Sequence, residues 1–191
     1  MAILSRRSLV FAARAIAAAL LAGEGLAAQS GAIVENDIKA AFLYNFAKYV
    51  EWPEAAFPGG DFRVCVVADS PFQKSVDDII AGESVAGRPV TRQAPATPEA
   101  ARSCNILFVG RGEFRRAEPL LMAVKGANVL TVGDGAEFLS RGAAVTFVRE
   151  GDRVRFDVNL TEAQRAGLTI SSRLLRVARR VVPPPEPRAG K

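Results

Sequence analysis

The feature that most restricts the fold is an alternation of short apolar runs with helical patterns. The runs at residues 62–68, 105–109 and 128–132 carry β-branched and aliphatic side chains at most positions, not only at every second one. Runs of this kind are typical of central strands that are covered on both faces. Helical patterns at 72–81 and 113–125 lie between them. This alternation predicts an α/β fold: a single three-layer α/β/α domain with a mostly parallel sheet.

The C-terminal third has a different pattern, because polar and apolar residues alternate there. Segments 143–149 and 153–159 flank a tight turn at 150–152. They predict a C-terminal antiparallel hairpin at the edge of the sheet, with one face in water. Pro89 favours an edge position for the short strand 88–93 as well. The preceding residues, 82–87, are expected to form a loop.

Residues 39–52 predict a helix with a wide buried face, because two apolar rows run along it at helical spacing. Asn36 or Asp37 can cap its start, and Pro53 forbids its continuation beyond Trp52. Four residues mark the stripe expected to face water: Lys39, Tyr44, Lys48 and Glu51.

Two shorter helices are expected after the hairpin, at 161–166 and after Ser171 or Ser172, either of which can cap the last one. The inward side of the last helix is predicted to carry Leu174, Leu175, Val177 and Ala178. In the central helix 113–125, Pro119 should bend or divide the helix.

Residues 1–28 have the pattern of an export signal: Arg6 and Arg7, then a short apolar run, then small residues before Gln29. The predicted organisation is a signal peptide at 1–28, the α/β domain at 29–182 and a disordered, proline-rich tail at 183–191. A single anchoring helix stays an alternative for the leader, and Sec and twin-arginine export both stay open. The expected location is the periplasm.

The residue types present restrict the chemistry. The chain has no histidine, which removes the commonest general base and metal ligand. Its two cysteines, Cys65 and Cys104, suggest a disulfide in an oxidising compartment, with two buried free thiols as the alternative. The formal charge is +5, and it becomes +3 without the leader, which takes away three arginines and one glutamate. We therefore expect no nucleic-acid partner, no metal and no cofactor.

A candidate ligand site lies at the carboxyl ends of the predicted parallel strands, where open α/β sheets bind small molecules. Asp69 and Ser70 follow the first strand, Arg111 follows the second and Asp134 follows the third. If these side chains converge, they form a polar pocket. The alternative is that Asp69 and Ser70 cap a helix and that Asp134 is a turn residue. The turn at 110–112 lacks the glycine spacing of a dinucleotide loop and the lysine of a Walker loop, and no catalytic motif is found.

Several ordered blocks of the chain, from about Ile38 to Val182, together resemble the YfiR family of small periplasmic regulators. The blocks are 39–53, 62–67 with Ser70-Pro71-Phe72, Gly87-Arg88-Pro89-Val90, 104–110, 130–134, 154–159 and 167–175.

This resemblance implies a function that residue spacing could not supply. It implies a periplasmic repressor, not an enzyme, that binds the periplasmic domain of a membrane diguanylate cyclase and so lowers cyclic di-GMP and biofilm formation. It also implies that Cys65 and Cys104 are the structural disulfide pair of the family. A second, redox-sensitive pair known in the family is absent from this chain.

The partner-binding surface is expected on exposed sides of two helices, at Tyr44 and Lys48 in the first and at Arg173 and Arg176 in the last. The alternative function is a periplasmic small-molecule-binding module that serves a sensor or transporter. A homodimer is a further partner that the sequence leaves open.

Overall fold

The coordinates are a computed structural model that describes residue 31 and residues 33–57 and 59–184. The predicted leader at 1–28 lies outside the described residues, as does most of the predicted tail, so both stay predictions. Among the described residues, no helix has the length and apolar character needed to cross a membrane.

An eight-stranded sheet forms the centre of the molecule. The helices and strands of the molecule, in chain order, are α1 (residues 33–49), β1 (Val50–Glu51), β2 (Phe62–Val67), α2 (Ser70–Ile80), β3 (Ser84–Val85), β4 (Arg88–Gln93), α3 (Pro98–Arg102), β5 (Ile106–Val109), α4 (Phe114–Ala123), β6 (Leu130–Asp134), α5 (Glu137–Ser140), β7 (Val145–Glu150), β8 (Arg153–Asn159), α6 (Leu160–Arg165), β9 (Thr169–Ile170), α7 (Ser172–Val177) and β10 (Arg180–Val182). The strand order is β10-β8-β7-β6-β5-β2-β4-β3, and β1 pairs separately with β9.

The predicted fold class is confirmed. Pairing is parallel throughout the sheet except between β3 and β4 and between β7 and β8. Alternate residues of β2 and β5 enter two separate cores. Val64 and Ile106 pack with α1, α2, α6 and α7 on one face, whereas Leu107 packs with α3, α4 and α5 on the other. Because the central strands are buried on both faces, their sequences are continuous apolar runs.

The first core is rich in aromatic rings. Phe46 of α1 stacks on Phe147 of β7, with 5.8 Å between ring centroids, and meets Phe156 of β8 edge-on at 5.1 Å. Phe72 of α2 stacks on Phe108 of β5 at 4.3 Å. These contacts hold both helices against the same face of the sheet.

The first helix differs from its prediction at both ends. Residues 36 and 37 lie inside α1, so neither Asn36 nor Asp37 caps its start. The helix ends at residue 49, before Trp52, because Val50 and Glu51 pair with Ile170 and Thr169 of β9. Pro53 is therefore not what ends the helix.

Other departures come from short strands that local patterns do not reveal. The predicted loop at 82–87 contains β3, so β4 is not outermost despite Pro89. The predicted edge hairpin of β7 and β8 is not at the edge either, because β10 pairs with β8. Strand β6 extends through Asp134, which the sequence placed in the following turn.

Three helix predictions also change. Pro119 lies within α4, which continues through it without division. Asp69, not Ser70, caps α2. Val177, predicted to pack inward, is 54% exposed.

Candidate functional site

The carboxyl ends of β2 and β5 lie where the strand order reverses, since β4 flanks β2 on one side and β5 on the other. Such a reversal opens a crevice between the loops that follow the two strands. A pocket of about 120 Å³ lies there. Its lining includes Asp69 after β2, Gly110 and Arg111 after β5, Asp134 at the end of β6 and Asn36 of α1. We refer to it as the carboxyl-edge pocket.

Three of the four residues predicted to bind a ligand are brought together in this pocket. Asp69, Arg111 and Asp134 line it, whereas Ser70 is exposed and does not. The two strands meet at the base of the pocket. Gly110 N–H donates to Val67 O at 2.8 Å, and a Cβ on Gly110 would lie 3.0 Å from that of Ala68.

The acidic groups in the pocket already have partners in the protein. Asp69 Oδ1 accepts from Phe72 N–H at 3.1 Å and so caps α2. Asp134 Oδ2 accepts from Lys39 Nζ at 2.9 Å, and its Oδ1 lies 3.7 Å from Arg111 Nη2. These interactions account structurally for both aspartates.

Lys39 is the residue that sequence reasoning missed. It was expected to face water, but it is 5% exposed and lies between Asp134 and Glu35. Its Nζ donates to Glu35 Oε1 at 2.6 Å. Its spacing in the sequence could have indicated this burial. Lys39 precedes Phe42 and Phe46 by three and seven residues and therefore lies on the same inward face of the helix.

Glu35 continues the chain of alternating charges to Arg149 on β7, whose Nη1 lies 3.4 Å from Glu35 Oε2. Burial by itself would raise the pKa of Glu35. The hydrogen bond and charge of Lys39, with the charges of Arg149 and Arg111, outweigh burial and lower that pKa below its ordinary value. The resulting network ties α1 to the carboxyl edge of the sheet and to the hairpin. Among the described residues, no group of histidine, cysteine or acidic side chains has an arrangement that could hold a metal ion.

The predicted partner-binding residues lie on two helices of the same layer. Tyr44 is half-buried and donates its hydroxyl hydrogen to Glu83, while Lys48 is exposed with its Nζ 5.0 Å from the centroid of the Tyr44 ring. Arg173 and Arg176 are both exposed on α7. In the described part of the chain, no hydrogen bond or ion pair joins one pair to the other.

The two helices are nevertheless connected through their ends. Strand β1 follows α1 directly, β9 precedes α7, and Ser171 N–H donates to Tyr49 O at 3.0 Å. Arg179 follows Arg173 and Arg176 in the sequence but differs from them in its contacts. Its Nε donates to Asp157 Oδ1 at 2.8 Å, and the side chain of Asp157 is 3% exposed.

Cys65 and Cys104 form a disulfide across two neighbouring strands. Cys65 lies in β2, Cys104 lies just before β5, and their Cα atoms are 5.8 Å apart. Both residues are buried in the core beneath α3 and α4.

These features define a class: a disulfide-bridged, three-layer α/β protein whose first helix is held to the carboxyl edge of its sheet by buried ion pairs. The chain belongs to the YfiR/HmsC-like family, whose sequence model matches residues 36–179. Proteins of this family are generally regulatory rather than catalytic. Together with the disulfide, membership suggests an extracytoplasmic protein with a regulatory partner.

Two solved structures share part of the architecture at low identity. One is the ABC domain in complex with L-Trp from Streptococcus pneumonia, 13% identical over 68% of this chain and 59% of that one, with a TM-score of 0.49. The other is a conserved domain protein from Vibrio cholerae O1 biovar El Tor, 13% identical over 68% of this chain and 57% of that one, with a TM-score of 0.45. This chain thus spans less than two thirds of either, and likeness at this level carries no information about function.

Proposed function

We propose that this chain is an exported regulatory protein that binds and represses the periplasmic part of a membrane signalling protein. The proposed partner is a diguanylate cyclase, so that repression lowers cyclic di-GMP. The observation that carries the proposal is the family match over residues 36–179. The buried disulfide supports it, because disulfides persist in oxidising compartments and are rare in the cytosol.

The proposed contact surface consists of Arg173, Arg176, Tyr44 and Lys48. The two arginines and Lys48 are exposed and form no ion pair within the described residues, so their charges are available to an acidic partner surface. Tyr44 adds a half-exposed aromatic ring beside Lys48. Arginine and tyrosine are enriched at protein interfaces, where their side chains combine apolar area with polar ends.

Deletion of the gene tests the function directly. We expect cellular cyclic di-GMP to rise in the deletion strain, and the rise to disappear when the cyclase is deleted as well. An unchanged cyclic di-GMP level, under conditions in which the protein is expressed, counts against the cyclase as partner.

Charge reversal tests the surface separately. Arg173→Glu/Arg176→Glu should leave the protein folded, because exposed substitutions usually change stability little, yet it should weaken repression. Arg115→Glu/Arg153→Glu is the matched control, since it makes the same change of charge at two exposed arginines on α4 and β8. Full repression by the folded α7 variant would exclude this surface while leaving the partner in place.

The proposed export has its own measurement. Mass spectrometry of the periplasmic fraction should find a mature protein that begins near Gln29. Recovery of the intact chain from the cytoplasm would remove the compartment on which the function depends.

The alternative function, a periplasmic small-molecule-binding module, is favoured by one observation: Asp69, Arg111 and Asp134 do line a common pocket. Its volume of about 120 Å³ restricts an occupant to a few atoms, because pockets for drug-sized ligands measure roughly 300–1,000 Å³. The side chain of Arg111 is 65% exposed, so Arg111→Gln should leave the fold intact and still weaken the binding of such a ligand. Arg115→Gln on α4 serves as its control, and equal signalling by both variants and the wild type would exclude a role for the pocket.

A further inference from the structure

A second and larger cavity lies between α4 and α5, which cover one face of the sheet, and α6, which packs in the core of the other face. Its volume is about 410 Å³, within the range of roughly 300–1,000 Å³ that is typical of small-molecule sites. Thr131, the second residue of β6, lines it. The cavity therefore lies near the amino end of β6, whereas the carboxyl-edge pocket contains Asp134 at the other end of the same strand. We call it the α4–α6 cleft.

The walls of the α4–α6 cleft are largely apolar. Helix α4 packs on the sheet through Ala117 and Leu120, and the adjacent helix face turns Phe114, Leu121 and Met122 toward the cleft. Phe138 of α5 also lines the cleft, and its ring meets that of Phe114 edge-on, with 5.7 Å between the centroids. Met122 is a large apolar side chain, yet 59% of it is exposed among the described residues. The walls thus offer aromatic and thioether surface to an apolar group.

The rim of the cleft carries an excess of positive charge. The guanidinium of Arg165 is neutralised by Glu162, with 2.6 Å between Nη1 and Oε1. Lys125 and Arg141 line the cleft too, and neither forms an ion pair with any carboxylate of the described residues. Glu118 is the one other carboxylate among the lining residues, so two free cations face a single free anion.

Arg141 is also held in position. Its Cζ lies 3.8 Å from the centroid of the Phe114 ring, in a cation–π contact at the edge of the cleft. The planar guanidinium carries N–H groups whose fork matches the two oxygens of a carboxylate. Because the side chain is already ordered, less conformational entropy is lost when an anion binds to it.

From this arrangement we propose that the α4–α6 cleft binds a small organic carboxylate with an apolar body. The apolar body lies against Phe114, Leu121 and Met122, and the carboxylate pairs with Arg141, with Lys125 adding a second positive charge. This site goes beyond the proposed repressor function, because its lining contains none of the proposed partner-binding residues and it requires no partner protein.

The test compares three probes that share one apolar body: 3-phenylpropanoate, 3-phenylpropylamine and 3-phenylpropan-1-ol. The chain contains two methionines, Met1 and Met122, so methyl-¹³C-methionine labelling of the full chain gives a simple spectrum in which Met122→Leu assigns the reporter signal. We expect the chemical shift of the Met122 methyl group to change and reach saturation as 3-phenylpropanoate is added. The amine should bind at least tenfold more weakly than the acid. Equal binding of all three probes, or preference for the amine, overturns the proposed ligand class.

Charge-neutralising variants locate the anion. Arg141→Gln should weaken binding of the acid roughly tenfold, which is the loss expected when a hydrogen bond to a charged group is removed. Lys125→Gln should weaken its binding less. Arg115→Gln is the matched control, because it removes the same charge from exposed α4 surface outside the cleft. Circular dichroism establishes that each variant is folded. No movement of the Met122 methyl signal up to the solubility limit of the acid, or equal loss in the Arg115→Gln control, overturns the site.

Discussion

Lys39 brings a positive charge into the space between α1 and the end of β6, where Glu35 and Asp134 surround its ammonium group. A buried ion pair of this kind is weak evidence for net stability, because desolvation offsets much of the attraction. Removal of one partner is a different matter, since it leaves uncompensated charge in a dry site. The position of α1 on the sheet is therefore sensitive to this single side chain.

We expect Lys39→Met to reduce the free energy of unfolding by roughly 3–5 kcal/mol, because Asp134 loses its buried partner. Urea denaturation followed by circular dichroism measures the change. Lys48→Met on the exposed side of the same helix should stay within about 0.5 kcal/mol of the wild type. Equal effects of the two substitutions would contradict the buried role of Lys39.

Glu35 predicts a pH effect whose sign follows from its lowered pKa. Its ordinary value is 4.5, and the folded value is lower. The stabilisation it provides is therefore complete above the unfolded pKa and is lost as the pH falls through the folded pKa. Glu35→Gln should lose less stability than the wild type on acidification, as measured by urea unfolding at a series of pH values. Parallel pH curves for the two proteins would show that Glu35 does not contribute in this way.

At the level of elements, α7 depends on the short strands on either side of it. Six residues are too few for a stable isolated helix. Ser171 Oγ accepts from Leu174 N–H at 3.3 Å, Leu174 is buried, β9 pairs with β1 before the helix, and β10 pairs with β8 after it. The segment is thus held at its two ends as well as through its packed face.

Arg179 should hold the C-terminal end of the α7 segment in place. Its guanidinium pairs with buried Asp157, and its backbone N–H donates to Phe156 O at 2.8 Å. Arg179→Met should lower the melting temperature by several degrees and speed amide exchange in β10. Arg176→Met, three residues earlier and exposed, is the control and should change neither. If the two variants behave alike, the Asp157 pair does not secure β10.

At the scale of the whole molecule, the disulfide crosses the point where the strand order reverses. It joins the two halves of the sheet, because β2 leads toward β4 in one direction and toward β5 in the other. The two cysteines are 39 residues apart in sequence, so the bond restricts a long loop in the unfolded chain. Its burial beneath α3 and α4 shields it from reductants.

We expect Cys65→Ser/Cys104→Ser to lower stability by roughly 2–5 kcal/mol while leaving the fold recognisable. Protein purified without reductant should show no free thiol after denaturation. Two titratable thiols in the denatured wild type would contradict the bond in solution.

Local patterns predicted the elements that are governed by neighbours in the chain. The strands β2 and β5 follow from continuous apolar runs, which are typical of strands covered on both faces. The β7–β8 hairpin follows from the alternation of polar and apolar residues, which the backbone geometry of a strand imposes. The convergence of Asp69, Arg111 and Asp134 was also predictable, because the carboxyl ends of parallel strands share one edge of the sheet. The YfiR-like resemblance, confirmed over residues 36–179, came from blocks of sequence.

What the tertiary structure alone decided depends on partners that are distant in sequence. Strands β9 and β10 have two and three residues, too few for a periodic pattern, and they exist because β1 and β8 supply hydrogen-bonding edges. Lys39 is buried because Asp134, 95 residues away, meets it with a carboxylate. The α4–α6 cleft exists because three helices that are separated in the chain leave a space where they pack, and no local rule of sequence encodes such a volume.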